Sequence, residues 1–162
     1  LASMAVARYL GVPAEDAVRA ISAYKSPAMR QQVVEANGLL IIDDSYNASP
    51  DSMRSALDVL QSRKVTGRRA AVLADMLELG DFSQQGHYQV GQYAREKGVD
   101  VLVGIGPLSK EIVAGYGEGG LWFETNQQAI GYLKETLREG DAVLVKGSRG
   151  MKTDQIVAAL KE

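Results

Sequence analysis

The most regular part of the chain begins with an apolar run followed by an amphipathic stretch. Leu39–Ile42 is continuously apolar, which is typical of a strand covered on both faces. Ser49-Pro50 then supplies a helix N-cap and a first-turn proline. The apolar residues beyond this pair recur at helical spacing: Met53, Ala56, Leu57 and Leu60. The segment therefore predicts a buried strand, a short loop and a helix.

The same alternation continues to the end of the chain. We predict strands at Ala70–Ala74, Val101–Ile105, Leu121–Glu124 and Ala142–Val145, and helices near residues 50–62, 84–97, 107–116, 126–138 and 152–161. Upstream, Val33–Ala36, Asn37-Gly38 and Leu39–Asp43 predict a β-hairpin, since Asn-Gly suits the two positive φ angles of a type I′ turn. The pattern predicts an α/β fold: a mainly parallel, Rossmann-like sheet of about six strands, with an antiparallel N-terminal hairpin and helices on both faces.

The first residues follow a different pattern. Met4–Leu10 and Ala14–Tyr24 predict two short helices, split by Gly11-Val12-Pro13. Lys25-Ser26-Pro27 then predicts an irregular connection to the hairpin.

Composition narrows the classes of function. The 162 residues suffice for one domain of ordinary size with a real core, with room for a fragment of another. Eighteen basic and twenty acidic residues leave a net charge of -2, which gives no electrostatic case for binding nucleic acid or an anionic membrane. The absence of cysteine excludes disulfides and thiolate chemistry and is compatible with a reducing cytoplasm. No apolar run approaches membrane-spanning length, and Leu1–Leu10 lacks the features of a signal peptide.

The loop after Leu39–Ile42 carries the strongest candidate chemistry. Asp43, Asp44, Tyr46 and Asn47 lie where a strand ends, which is where open α/β sheets bind ligands. Taken singly, the carboxylates could cap the turn, the tyrosine could cover the sheet edge and the asparagine could hold a backbone bend. Two adjacent carboxylates repel each other unless a cation, a donor cluster or a sugar hydroxyl accepts them. The pair therefore favours a binding loop.

Other chemical groups follow the ends of the later strands: Asp75, Gly104-Ile105-Gly106, Thr125-Asn126 and Lys146-Gly147-Ser148-Arg149. In a parallel sheet these ends share one edge, so charges of both signs should gather there and form a seat for phosphate, carboxylate or ammonium groups. No segment matches the phosphate-binding loop G-x-x-x-x-G-K-[ST].

The only histidine, His87, shares a predicted helical face with Val90, Gly91 and Ala94. We expect His87 to anchor the loop containing Asp75 rather than to transfer protons, because a catalytic histidine needs an orienting partner. Gly91 indicates a close approach of this helix to the sheet.

Four motifs in register resemble the carboxy-terminal domain of the Mur ligases: DDSYNASPDSM, VLADMLELG, the helix with His87 and Gly91, and VLVKGSRG. The resemblance covers roughly residues 20 to 160. It implies that residues 1–25 are the tail of a preceding ATP-binding domain plus linker, and that residues 26–162 are the carboxy-terminal domain. Related sequences commonly have glycine where this chain has Ala74, a change that should not remove the site.

For the nucleotide, the resemblance implies four residues. Arg30 would close onto the phosphates of ATP, which a planar guanidinium suits, or it would be a solvated linker charge. Asp44 would accept hydrogen bonds from the ribose hydroxyls. Tyr46 and Asn47 would lie beside the nucleoside.

For the amine acceptor, the resemblance offers Lys146, Ser148 and Arg149. A dipeptide acceptor ends in a carboxylate, which a lysine, a hydroxyl and an arginine at a strand-to-helix loop could hold. The alternative for Lys146 is an ion pair with Asp44 or Asp75 that neutralises the site.

The reaction implied is ATP-driven amide formation in peptidoglycan precursor synthesis, in the cytoplasm. A carboxylate of UDP-MurNAc-tripeptide would become an acyl phosphate, which the amine of D-Ala-D-Ala would attack. Mg²⁺ and the site for the UDP-sugar would belong mostly to the missing domains, so this domain alone should be inactive.

Three alternatives stay open. A phosphoacceptor signalling domain would use Asp43, Asp44, Asp75 and Lys146 and would phosphorylate Asp75 with Mg²⁺. Another Mur ligase or a folylpolyglutamate synthase would be expected to diverge at Tyr46-Asn47 and in the loop after Lys146. A plain binding module would bind its ligand without a partner domain.

Overall fold

The computed structural model describes residues 2–24 and 28–162. Lys25-Ser26-Pro27, the predicted connection, and with it the predicted boundary between residues 25 and 26, lie outside the described residues. The strands are β1 (Gln32–Ala36), β2 (Leu39–Asp44), β3 (Arg69–Ala74), β4 (Val101–Ile105), β5 (Leu121–Phe123) and β6 (Ala142–Lys146). The helices are α1 (Ala2–Tyr9), α2 (Ala14–Ser22), α3 (Pro50–Ser62), α4 (Ser83–Glu96), α5 (Lys110–Tyr116), α6 (Asn126–Thr136) and α7 (Asp154–Lys161).

The strands form one six-stranded sheet in the order β1-β2-β6-β3-β4-β5. Only β1 is antiparallel to its neighbour, and every other pair is parallel. The predicted fold is therefore confirmed, including the turn at Asn37-Gly38, whose φ angles are 52° and 74°. The carboxyl-terminal ends of all strands except β1 consequently lie at one edge of the sheet, which we call the carboxyl edge.

Two apolar layers cover the sheet. Helices α3, α4 and α5 pack on one face and α6 and α7 on the other, because alternate residues of each strand point to opposite sides. Ala142 and Leu144 of β6, for example, join the first layer, whereas Val143 and Val145 join the second. In β2, Ile41 and Ile42 are fully buried.

Helix α3 begins as its sequence predicts. Ser49 caps the helix by accepting from the Ser52 amide, the Ser52 hydroxyl accepts from the Ser49 amide at 2.9 Å, and Pro50 occupies the first turn. Helix α5 begins at Lys110 rather than near 107, and a tighter turn precedes it, in which the Glu111 amide donates to the Leu108 carbonyl at 3.1 Å.

Gly91 corrects one expectation. Its close contact is with α5 rather than with the sheet: a Cβ on Gly91 would lie 1.9 Å from the Ile112 carbonyl oxygen. Gly115 of α5 is similar, since its Cβ would lie 2.0 Å from the Tyr88 carbonyl oxygen. These two glycines let the backbones of α4 and α5 touch.

Within the described ranges, no helix combines the length and apolarity needed to cross a membrane.

Candidate nucleotide and acceptor site

A buried ion pair joins the ends of two neighbouring strands. Asp44 ends β2 and Lys146 ends β6, and the two are direct partners in the parallel register. The Lys146 ammonium donates to Asp44 Oδ2 at 2.6 Å and to the Asn47 carbonyl at 2.8 Å. The two residues are only 8% and 2% exposed. Of the two partners that the sequence left open for Lys146, Asp44 is the one in contact.

The second oxygen of Asp44 holds the segment before the hairpin. Asp44 Oδ1 accepts from the Gln31 amide at 3.0 Å, and the Tyr46 amide donates to the Met29 carbonyl at 3.1 Å. Between these two contacts, the Arg30 guanidinium lies over the ring of Tyr46, 4.2 Å from its centroid. An arginine stacked in this way is attracted by the electron-rich face of the ring.

Asp43 has a different surrounding from Asp44. Its Oδ1 accepts from the Ser45 amide at 3.2 Å and from the Ser45 hydroxyl at 2.6 Å, so Asp43 caps its own turn. The two carboxylates avoid each other because successive strand residues point to opposite faces. Only Asp44 reaches the open cleft.

That cleft has a volume of about 560 Å³ and opens at the carboxyl edge. It brings together all four residues predicted for the nucleotide, together with Lys146. Sequence reasoning missed several further members of its wall, among them Ser49, Ser52 and Ser55. Their spacing of three along the start of α3 was the available signal, because it places hydroxyls on one helical face.

Ser148 and Arg149 lie outside this cleft. The Ser148 hydroxyl accepts from the Leu77 amide at 2.8 Å, and Ser148 itself is buried. Arg149 is exposed, and its guanidinium is 3.4 Å from Asp154. The three residues predicted for the acceptor are therefore divided. Lys146 lies in the cleft with the residues predicted for the nucleotide, whereas Ser148 and Arg149 lie in the loop that follows Lys146.

His87 has the structural role that the sequence predicts. Its Nε2 accepts from the Met76 amide at 2.9 Å, and its Nδ1 lies 2.7 Å from the Ser83 carbonyl. An amide must donate and a carbonyl must accept, so this pattern fits a neutral ring with its proton on Nδ1. His87 is fully buried and anchors the loop that follows Asp75.

Asp75 does not fit the role of a phosphoacceptor. It is 2% exposed, and burial raises the pKa of its carboxyl, opposed by hydrogen bonds from the Ser109 and Leu108 amides. Lys146, which that role would place beside Asp75, is paired with Asp44 instead. In the described part of the chain, no group of three histidine, cysteine, aspartate or glutamate side chains could hold a metal ion. The burial of Asp75 and the pairing of Lys146 with Asp44 disfavour the signalling alternative.

Comparison with known proteins identifies relatives of this chain. The family described as "Mur ligase, glutamate ligase domain" matches residues 29–149. The UDP-N-acetylmuramoyl-tripeptide--D-alanyl-D-alanine ligase of Bacillus subtilis (strain 168) is 34% identical over 172 residues, covering 100% of this chain and 37% of that protein. The chain thus spans little more than a third of the length of this relative.

Solved structures give the same relationship. The chain matches MurF from Acinetobacter baumannii with a TM-score of 0.85 at 30% identity, covering 97% of this chain and 35% of that one. It matches the MurF ligase of Thermotoga maritima in complex with ADP with a TM-score of 0.82 at 26% identity, covering 98% and 36% respectively. Since the family match spans most of the chain, this protein belongs to the Mur ligase family, within its carboxy-terminal, glutamate ligase domain.

Proposed function

We propose that this chain is the carboxy-terminal part of an ATP-dependent ligase that adds D-Ala-D-Ala to UDP-MurNAc-tripeptide in peptidoglycan precursor synthesis. One observation carries the proposal: the similarity to the Bacillus subtilis ligase of that name extends along the whole chain, at 34% identity. The same observation favours this activity over that of another Mur ligase or a folylpolyglutamate synthase. Because the reaction consumes ATP, we expect it to take place in the cytoplasm.

The nucleotide would occupy the cleft beside Asp44. The carboxylate of Asp44 has a fixed orientation, and ribose hydroxyls are suitable donors to such an acceptor. Tyr46 is 45% exposed and offers an aromatic face, with the exposed amide of Asn47 next to it. The Arg30 guanidinium would bind the phosphates, whose oxygens its planar donors match, either after leaving the ring of Tyr46 or while still stacked on it. The Thermotoga maritima relative is a ligase solved in complex with ADP, which supports an adenine nucleotide as a ligand of the complete enzyme.

The acceptor dipeptide would bind on the other side of Lys146. Arg149 presents an exposed guanidinium, and the hydroxyl of Ser148 can still donate after accepting from Leu77. Both groups suit a terminal carboxylate. The ammonium of Lys146 would contribute positive charge between the nucleotide and the acceptor.

The remaining parts of the active site are proposed to lie outside this chain. Residues 1–25 would be the tail of the preceding ATP-binding domain plus linker, and residues 26–162 the carboxy-terminal domain. The apolar surface of α1, α2 and the residues after them supports this division, because Tyr9, Leu10 and Tyr24 are 89%, 69% and 68% exposed. Such surface is normally covered by a partner.

The reaction would proceed in two steps. A carboxylate oxygen of the tripeptide attacks the γ-phosphorus of ATP, forming an acyl phosphate and releasing ADP. The amine of D-Ala-D-Ala, after losing a proton, then attacks the acyl carbon, and inorganic phosphate leaves. Mg²⁺ would supply charge stabilisation for the phosphoryl transfer, and its ligands would lie mostly in the preceding domain. The part of this chain is to orient the nucleotide through Asp44 and to present the amine.

The test is phosphate release by the full-length protein that contains this chain, with ATP and UDP-MurNAc-tripeptide present. We expect release only when D-Ala-D-Ala is added, and none with D-glutamate or L-lysine as acceptor. The 162-residue chain alone, the matched control, should be inactive. Release with a single amino acid but not with the dipeptide would contradict the proposed acceptor.

A further inference from the structure

Asp75 is a buried carboxylate that the proposed function does not use. It follows β3 at the carboxyl edge, and no lysine or arginine of the described residues forms an ion pair with it. An unneutralised buried carboxylate is costly, so its hydrogen bonds indicate what it is for. Its Oδ1 accepts from the Ser109 amide at 2.7 Å.

Backbone and side-chain contacts connect the Asp75 segment to the loops on both sides of it. On the β4 side, the Asp75 amide donates to the Ile105 carbonyl at 3.1 Å, beside the contact with Ser109. On the β6 side, the Ser148 amide donates to the Asp75 carbonyl at 3.1 Å, and the Leu77 amide donates to the Ser148 hydroxyl at 2.8 Å. Three loops at the carboxyl edge are therefore held together at one residue.

Gly106 shows how closely these loops meet. It has a φ of +98°, and a Cβ at this position would lie 2.6 Å from Asp75 Oδ2 and 2.7 Å from Met151 Cε. Met151 belongs to the loop after β6, so the carboxylate lies where the loops after β4 and β6 meet. A side chain at Gly106 would push these loops apart.

We infer that Asp75 is a positioning residue for the acceptor, which holds the loop from Gly106 to Ser109 against the loop of Ser148 and Arg149 and so sets where those two residues can meet the dipeptide carboxylate. This inference rests on the proposed function. It assigns Asp75 no contact with substrate. A displacement of about 1 Å in such supporting residues is enough to reduce catalysis by about a hundredfold.

The experiment measures the KM of each substrate in the full-length protein. Asp75→Ala should raise the KM for D-Ala-D-Ala at least about tenfold and leave the KM for ATP within about twofold, because the side chains of Asp44 and Lys146 form no hydrogen bond with Asp75 or Ser109. Asp75→Asn keeps an oxygen for the Ser109 amide and should restore most of the lost affinity. Equal changes in both KM values, or none in a folded variant, would overturn the inference.

Asp141→Asn is the matched control. Asp141 is also 2% exposed and accepts several hydrogen bonds, but it precedes β6 at the opposite edge of the sheet. Its replacement should lower the thermal stability and leave both KM values unchanged, which separates positioning from general destabilisation.

A second measurement does not depend on ligase activity. Amide hydrogen exchange in the 162-residue chain should become faster in Asp75→Ala at Ser109, which loses its acceptor, and to a smaller extent at Ser148, whose acceptor is the main-chain carbonyl of residue 75 in the loosened loop; both should stay unchanged in Asp141→Asn. If the wild-type protein ligates a different acceptor, the proposed function fails while these exchange rates still report on Asp75. Unchanged exchange at both serines would overturn the role of Asp75 in any case.

Discussion

The buried pair of Asp44 and Lys146 gives the most quantitative prediction. At 2.6 Å, two unit charges attract each other by about 6 kcal/mol at an effective dielectric constant of about 20. Desolvation of both groups offsets much of this attraction, so the net contribution of the pair is small. Removing one partner is different, because the other charge is then buried and unpaired. Lys146→Met or Asp44→Ala alone should therefore lower the free energy of unfolding by about 3–5 kcal/mol.

The double variant separates the interaction from these single effects. We expect Asp44→Ala with Lys146→Met to be about as stable as either single variant, which corresponds to a coupling energy of about 3–5 kcal/mol. The assay is urea denaturation of the 162-residue chain at neutral pH, at low and at high salt. The coupling should change little with salt, since buried charges are weakly screened.

An exposed pair on the same protein is the control. Asp51 and Arg54 lie 3.8 Å apart in the first turns of α3, and the Asp51 side chain is 97% exposed. Its coupling should be below about 0.5 kcal/mol and should fall further in high salt. If the coupling of Asp44 with Lys146 were equally small, the argument that burial makes this pair interdependent would be refuted.

Three other predictions concern packing, anchoring and pH, and denaturant unfolding tests each. Gly91→Ala should lower the free energy of unfolding by about 3 kcal/mol, because the new Cβ would overlap a carbonyl oxygen of α5. Gly131→Ala, which has open space around it, should raise the free energy of unfolding by about 0.5–1 kcal/mol. Equal effects of the two substitutions would contradict the contact between α4 and α5. His87→Ala should cost about 2–3 kcal/mol by leaving the Met76 amide unpaired, and a cost below about 0.5 kcal/mol would exclude this anchor. Burial alone would raise the pKa of Asp141, but the Arg68 side chain and two backbone amides hold this pKa below its ordinary value. The stability that Asp141 contributes is therefore present above about pH 4 and is lost as the pH falls through the lowered pKa. Asp141→Asn should remove this acid-dependent loss of stability, and an unchanged dependence of the free energy of unfolding on pH would contradict the argument.

The fold could be predicted from the sequence because its signals are local. Every predicted strand is present. Its ends lie within one residue of the predicted ones, because the apolar run defines them, and at Val101–Ile105 they are identical. The turn at Asn37-Gly38 depends only on backbone preferences of two residues. The start of α5 was harder to predict, because the turn that precedes it is held in part by a carboxylate 34 residues away in the sequence, which accepts from the Ser109 amide.

The partner of Lys146 shows what local signals leave undecided. Strand β6 lies between β2 and β3, so the sheet order alone brings Lys146 near both Asp44 and Asp75. Register decides between them: Lys146 is directly across from Asp44 on one side and from Leu73, two residues before Asp75, on the other. Register depends on packing across the whole sheet, which short motifs do not encode. Gly91 is a similar case, since its neighbour is another helix rather than the strand nearest in sequence.

The contacts of Asp44 also connect the ion pair to the segment before the hairpin. Met29 and Gln31 have φ angles of 63° and 50°. This left-handed conformation costs about 1–2 kcal/mol for each residue other than glycine. The Gln31 amide holds this conformation through Asp44 Oδ1, while Lys146 holds Asp44 Oδ2. Loss of Lys146 would therefore free the carboxylate and, through it, the strained backbone on which Arg30 is carried. The orientation of Arg30 at the cleft beside Asp44 thus depends on a lysine at the end of a strand more than a hundred residues later in the sequence.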